Sequence, residues 1–331
     1  MKTSRWWLKA LAAVVAFVLV AILVVVGVRL FTHRYYAIPQ AEPSAEALLS
    51  RPGVSRVEGD YLRGYSLAAR GDARPGTVVV FGGSEGSANP RQAFELQEAG
   101  YNVLALYFFG QDGQQDLLSE VPLDFFSEVL DRLDREQASG PLTVIGSSKG
   151  AELAANLAIR YPEIDNVVLY APAHYTYAGL DFSRDASSFT WHGEPVPFAS
   201  LRVSHDNLMR DLGRMIIGLP MSFRSSYEAA AAAAEQDAQI DIAAFDGNGL
   251  AFAGGQDRMW QSEVAARTLA DANPGVEAVV FEDAGHLFNE DIERSVGRSW
   301  EYMMGGTVEG NRAAKLESDG ILYDRLARWH G

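Results

Sequence analysis

Two serines carry the chemical interest of this sequence, because each is the centre of a Gly-x-Ser-x-Gly string. Ser84 lies in GGSEG at residues 82–86 and Ser148 in GSSKG at residues 146–150. A serine hydroxyl is a weak nucleophile at neutral pH. It becomes a useful one only when a general base takes its proton and a third group orients that base. The string marks a nucleophile when a strand runs into the serine and a helix leaves it, through a turn tight enough to demand small neighbours. Ser148 meets both conditions, with LTVIG before it and KGAELAANLA after it. Ser84 has a strand before it, but Asn89 and Pro90 delay any helix after it. Ser147 is off-centre in its string and is expected to point away. The first string has a different use. The backbone N–H of Gly83 or Ser84, with that of Lys149, is placed to hold the oxyanion formed when Ser148 attacks a carbonyl.

A base and an acid follow in the order that such a site needs. Asp257 comes directly after the apolar run 250–253, and His286 directly after the run Val276–Phe281. Their separation of 29 positions leaves room for one helix, at about 261–271, and one strand. Both side chains are therefore expected at the same sheet edge as Ser148. Ser148 would attack, His286 would take and return its proton, and Asp257 would orient the imidazole. Asp283 shares the loop of His286, and Asp246 sits in a Gly-rich turn. His174 follows a strand and is expected near the pocket. His192 and His205 fall in an irregular stretch, His33 lies beside the apolar N-terminal segment, and His330 is terminal. There is no HExxH string or comparable ligand cluster, so neither a metal nor a cofactor is expected. The absence of cysteine excludes disulfides, Cys-ligated zinc and a thiol nucleophile.

The elements that must hold these residues are legible as alternating runs. Thr77–Phe81, Asn102–Tyr107, 142–145, 167–170, 250–253 and Val276–Phe281 are short continuous apolar stretches, the pattern of strands buried on two faces. Residues 57–69 read as a hairpin of edge strands. Between the runs lie amphipathic helices: Leu123, Phe126, Val129, Leu130 and Leu133 fall on one face behind Pro122, and residues 151–161 form another helix that Pro162 stops. Such alternation predicts an α/β fold, a mostly parallel sheet with helices on both faces. Residues 176–246 break the rhythm with Trp191–Pro197, the apolar patch 215–221 and six consecutive alanines. An insertion of that size reads as a lid. The Pro-, Ala- and Ser-rich residues 37–54 read as a linker, leaving 55–331 as one domain.

Residues 10–28 contain no charged or strongly polar side chain. As a helix they span roughly 28 Å, close to the ~30 Å hydrocarbon core of a bilayer. Trp6 and Trp7 precede them and Tyr35 and Tyr36 follow them, where interfacial aromatics belong. The run is longer than the hydrophobic region of a signal peptide and ends in Arg29 rather than a cleavage motif. Residues 1–36 are thus expected to be a single-pass membrane anchor. The basic residues before the run outnumber those after it, which favours an extracytoplasmic body. The net charge of −15 divides accordingly. The first 34 residues carry five basic and no acidic residues, so the body holds 23 basic against 43 acidic, a charge of −20. A body that acidic repels polyanions and is not expected to bind nucleic acid.

At these residues the chain resembles the C-terminal catalytic domain shared by acyl-CoA thioester hydrolases and bile acid-CoA:amino acid N-acyltransferases. The resemblance runs from about Gly76 onward. It rests on FGGSEG at 81–86, NVLALYFFG at 102–110, VPLDFF at 121–126, IGSSKGAELA at 145–154, WHGEPVP at 191–197, GQDRMW at 255–260 and AGH at 284–286. It implies an α/β-hydrolase fold and places the family's Ser/Asp/His triad on Ser148, Asp257 and His286. Serine at the nucleophile is similar to the hydrolases, since the conjugating transferases use cysteine. Eukaryotic members carry a β-sandwich before this domain, where only about 40 residues separate Tyr36 from Thr77 here. The expected function is that of a membrane-anchored serine acyl hydrolase, taking a small-molecule acyl thioester of the acyl-CoA type. The alternatives are an extracytoplasmic carboxylesterase or lipase-like enzyme, favoured by the acidic body, and a non-catalytic membrane-tethered binding protein.

Overall fold

The computed structural model describes residues 6–37, 45–203 and 205–331. Eleven strands and eleven helices are present among them. The strands are β1 (Val54–Glu58), β2 (Arg63–Leu67), β3 (Thr77–Phe81), β4 (Asn102–Tyr107), β5 (Val121–Pro122), β6 (Leu142–Ser147), β7 (Asn166–Tyr170), β8 (Phe189–Trp191), β9 (Glu194–Pro195), β10 (Asn248–Gly254) and β11 (Val276–Phe281). The helices are α1 (Trp6–Tyr35), α2 (Ala45–Leu49), α3 (Pro90–Glu98), α4 (Phe126–Arg135), α5 (Lys149–Ala158), α6 (His205–Ile217), α7 (Arg224–Ala233), α8 (Ser262–Ala272), α9 (Ile292–Val296), α10 (Trp300–Met303) and α11 (Val308–His330).

Eight strands form one sheet in the order β1-β2-β4-β3-β6-β7-β10-β11. From β4 to β11 every neighbour is parallel, while β1 and β2 form an antiparallel hairpin on one edge. All five residues of β3 are buried, and alternate side chains enter different cores. Val79 and Phe81 pack with Leu123, Phe126 and Val129 on one face. Val78 and Val80 pack with Leu96, Leu322 and Leu326 on the other. The fold is thus a two-faced α/β sheet, as the apolar runs predict.

Several elements depart from the sequence reading. Pro122 ends β5 in an extended conformation and is followed by a 3-10 turn, so that α4 begins only at Phe126. Part of the stretch read as a linker is α2, whose Leu48 is buried in the core with Leu67 and Val78; residues 38–44 of that stretch lie outside the described residues. Helix α11 had no apolar stripe to announce it. Its buried side includes Asn311, Lys315, Ser318 and His330. His330 is held by Thr143 Oγ1 at 2.8 Å and the Pro75 carbonyl at 2.7 Å, which closes the C-terminal helix onto β6.

Candidate active site

Ser148 stands at the turn between β6 and α5 with φ 55° and ψ −120°, a conformation that L-residues avoid. The turn is held by a Ser148 N–H bond to the Tyr170 carbonyl at 2.8 Å. The flanking glycines are sterically required. A Cβ on Gly146 would collide with the Gly150 carbonyl, and one on Gly150 would collide with the carbonyl of Gly82. The Gly-x-Ser-x-Gly pattern therefore reflects the close approach of the β3 and β6 loops beneath the serine.

His286 Nε2 lies 2.8 Å from Ser148 Oγ, and His286 Nδ1 lies 2.8 Å from Asp257 Oδ2. These contacts join three loops that follow β6, β10 and β11. Asp257 is only 1% exposed, yet its carboxylate is fully engaged. Oδ2 also accepts from Ser262 Oγ at 2.6 Å, and Oδ1 accepts from the N–H groups of Met259 and Trp260 at 2.8 and 3.2 Å. His286 is held by its own N–H bond to the Met304 carbonyl at 2.7 Å and by the Trp260 ring, edge-on at 5.6 Å. With Nδ1 facing a carboxylate, the neutral imidazole carries its proton there and presents Nε2 as an acceptor to the serine. The arrangement can activate an alcohol and stabilise the resulting imidazolium.

His174, His192 and Asp283 lie apart from this relay. His174 is buried against Tyr175 and does not line the cavity beside Ser148. Burial pushes its pKa down to about 4. His192 pairs with Asp124 at 2.7 Å on the surface. Asp283 Oδ1 accepts from Gln256 Nε2 at 3.3 Å, away from His286. Among the described residues no group of His, Asp or Glu could hold a metal ion.

The expected oxyanion donors differ in their present partners. Lys149 opens α5, where first-turn N–H groups have no helical acceptor. The Gly83 N–H instead donates to Glu85 Oε1 at 2.9 Å, and Ser87 Oγ donates to the same oxygen at 2.7 Å. A carboxylate thus sits on one of the two donors, a contact invisible to motif reading because Glu85 is simply the variable residue of its string.

A cavity of about 500 Å³ opens beside Ser148. Tyr170, Met259, Leu287, Phe288, Val296 and Met304 give it an apolar side, and Glu85, Arg91, Glu95, Lys315 and Asp319 a polar one. Lys315 already bonds Glu95 at 3.1 Å and also bonds Asp319. None of the described residues of the insertion 176–246 lines this cavity, where a lid over an acyl pocket was expected. The insertion clamps the Asp257 loop instead. Arg224 donates to the Asp257 carbonyl at 2.8 Å and pairs with Glu263, and Ser222 donates to the Arg258 carbonyl at 2.6 Å. Tyr177, Tyr227 and Ala230 pack on Trp260 in a small separate core.

A second feature escaped the sequence reading. The side chains of Lys149 and Glu152 are 1% and 0% exposed and pair at 2.8 Å. Lys149 Nζ also donates to Ser188 Oγ at 2.9 Å and the Ala178 carbonyl at 3.2 Å, while Glu152 accepts from the Tyr177 N–H at 3.0 Å. Burial pushes the ammonium down and the carboxyl up, and their mutual attraction opposes both shifts. The pair fastens the start of α5 to the start of the insertion.

Comparison with known proteins bears on the same segments. The family model for the BAAT / acyl-CoA thioester hydrolase C terminal matches residues 121–292, just over half of the chain. Human acyl-coenzyme A thioesterase 6 is 32% identical over 138 residues, covering 38% of this chain and 32% of that protein. Mouse bile acid-CoA:amino acid N-acyltransferase is 27% identical over 151 residues, covering 44% and 34% respectively. The chain thus spans about a third of the length of these curated relatives. Among solved structures, an esterase of Pyrococcus furiosus matches with a TM-score of 0.55 at 17% identity, over 88% of this chain and 96% of that one. A 2,6-dihydroxy-pseudo-oxynicotine hydrolase matches with a TM-score of 0.50 at 15% identity, over 84% and 70%. These likenesses establish the α/β-hydrolase fold.

Proposed function

The chain belongs to the BAAT / acyl-CoA thioester hydrolase C-terminal family, and on that premise we propose that it is a membrane-anchored serine acyl hydrolase. Its substrate in this reading is a small-molecule acyl thioester of the acyl-CoA type. One observation supports the reading above all others: the continuous relay from Ser148 Oγ through His286 to the buried Asp257 carboxylate, with both links at 2.8 Å.

In the proposed reaction Ser148 Oγ attacks the acyl carbonyl carbon as His286 Nε2 takes its proton. The carbonyl oxygen becomes an oxyanion facing the N–H of Lys149 and that of Gly83 or Ser84. Collapse expels the thiolate, which receives the proton from His286, and leaves an acyl ester on Ser148. Water then attacks this ester with His286 again as base, releasing the acid and the free serine. Asp257 holds the imidazole tautomer and stabilises its charged form. For Gly83 to contribute, the Glu85 carboxylate has to leave its N–H. The acyl chain fits the apolar side of the cavity, along Met259, Leu287, Phe288 and Val296.

A second reading, hydrolysis of oxygen esters, is favoured by the polar side of the same cavity. Three carboxylates there face two cations, and both cations are engaged by carboxylates. That lobe suits an uncharged leaving group better than a phosphorylated one.

The test is the full chain in detergent micelles, assayed with acyl-CoAs of graded chain length and with aryl esters of the same acids. The first reading expects acyl-CoAs to have the higher kcat/KM, and a preference for the aryl esters transfers support to the second. Activity unchanged in Ser148→Ala contradicts both.

A further inference from the structure

The anchor is seated on the body. The apolar run of α1 ends at Val28, and Thr32 is the one buried residue of that helix. Thr32 Oγ1 donates to the Ile217 carbonyl at the end of α6, at 2.8 Å. Gly218, which follows α6 with φ +69°, lies so close that a side chain there would strike Thr32. The Arg298 guanidinium stacks on the Tyr35 ring at 4.4 Å, and that of Arg214, in the last turn of α6, on Tyr302 at 4.1 Å.

This seat fixes a depth. Thr32 is four residues past Val28, roughly 6 Å along the helix axis, so the end of α6 lies at the headgroup level of any bilayer that α1 spans. There the insertion is apolar on its outside. Met209, Met215 and Ile216 are 52%, 49% and 47% exposed. Met209 and Ile216 are seven residues apart and share one helix face, with Met215 at its flank. Leu30 and Phe31 of α1 are also exposed, so both helices present apolar side chains to the outside near the contact made by Thr32. Arg29 and Arg34 flank Thr32 along the chain, at the end of α1 where long basic side chains reach from an apolar layer to headgroups.

We propose that α6 is a second membrane contact, lying in the plane of the interface with Met209, Met215 and Ile216 in the acyl layer of the bilayer that α1 spans. The proposal rests on the reading of α1 as a membrane span. It commits the exposed face to lipid, because α6 is fastened to α1 about one turn past the end of the apolar run, where headgroups give way to chains. The consequence for the site is direct. Val296 and Met304 line the cavity beside Ser148, and Arg298 and Tyr302 between them bear on Tyr35 and Arg214. The wall of the cavity that carries the His286 contact is therefore held against the membrane, next to acyl compounds dissolved in it.

The chain has no cysteine, so single-cysteine variants can be labelled without background. Met215→Cys, Val18→Cys in the middle of α1 and Leu316→Cys on α11 are each coupled to bimane. Each full-length protein is reconstituted in phosphatidylcholine–phosphatidylglycerol nanodiscs with and without brominated acyl chains. The expected result is strong quenching by brominated lipid for Val18→Cys and Met215→Cys, and none for Leu316→Cys. Quenching of Val18→Cys without Met215→Cys overturns the contact while leaving the span intact. Absence of quenching at Val18→Cys overturns the span and the contact together. Cross-linking of two unlabelled Met215→Cys chains by a short bis-maleimide would assign the face to a second copy and overturn the proposal.

Discussion

At the residue scale the legible part of the site was the part whose chemistry is carried by short local strings. Ser148 announced itself by the strand before it and the helix after it, and Asp257 and His286 by their positions just after β10 and β11. The contacts that could not be read are those a neighbouring side chain imposes. Glu85 occupies the N–H of Gly83, and nothing in GGSEG at 82–86 indicates where that carboxylate turns. In the proposed reaction that N–H faces the oxyanion, so a charged acceptor on it competes with the transition state. Glu85→Ala is therefore expected to raise kcat/KM for a short aryl ester, by about two- to tenfold, the worth of one such bond. A fall below the parent value would show that Glu85 assists the reaction instead.

His174 gives a second prediction at this scale. A histidine in the unfolded chain titrates near 6.5, whereas burial holds His174 at about 4 in the fold. Between these values the unfolded chain binds a proton that the folded chain does not. Stability present above pH 6.5 is therefore lost as pH falls toward 4, by about 3 kcal/mol in all. His330 is shifted in the same direction by its burial and adds to the effect. The melting temperature of the full chain in detergent should fall over this range, and less steeply in His174→Phe. An equal slope in the variant would contradict this assignment.

At the element scale the strands were the most legible features. Thr77–Phe81 and Asn102–Tyr107 have the expected bounds, because strands buried on two faces show as apolar runs; Val276–Phe281 has them too, although it is an edge strand that carries Glu277 and buries only Val276. Helix α11 was hidden for the opposite reason. Its buried face mixes Ala314, Leu322 and Leu326 with Asn311, Lys315, Ser318 and His330, and Asn311, Lys315 and His330 are tied to Gly285, Glu95 and Thr143 by hydrogen bonds that no periodicity reveals. The insertion was visible as an interruption, but its attachment was not. It is fastened to α5 by Lys149 and Glu152 and to the Asp257 loop by Arg224, partners far apart in sequence. Removing one member of the buried pair leaves the other as an uncompensated charge. Lys149→Met is expected to cost about 3–5 kcal/mol, and Lys149→Met with Glu152→Leu much less, since an apolar pair of similar volume replaces both charges. Thermal unfolding of the two variants tests this. Equal losses in both would mean that the pair acts through its bonds to the insertion rather than through its own charge balance.

At the scale of the whole molecule, the charge division of the chain has a spatial counterpart. The basic, apolar α1 has a mean hydropathy of 3.3 over its most apolar stretch and stands clear of the body except at its last turns, where Thr32 and Tyr35 meet α6 and Arg298. The acidic body carries the sheet, and the relay lies at the ends of β6, β10 and β11. The central claim is that Ser148 is a nucleophile activated by His286 and Asp257, and it is tested most directly by covalent trapping. The full chain is treated with a fluorophosphonate and digested, and the adduct is located by mass spectrometry. The account predicts a single modified peptide carrying the adduct on Ser148, with labelling lost in Ser148→Ala and slowed by orders of magnitude in His286→Ala. An unlabelled Ser148 in the folded chain, or an adduct on Ser84 or Ser147, would contradict it.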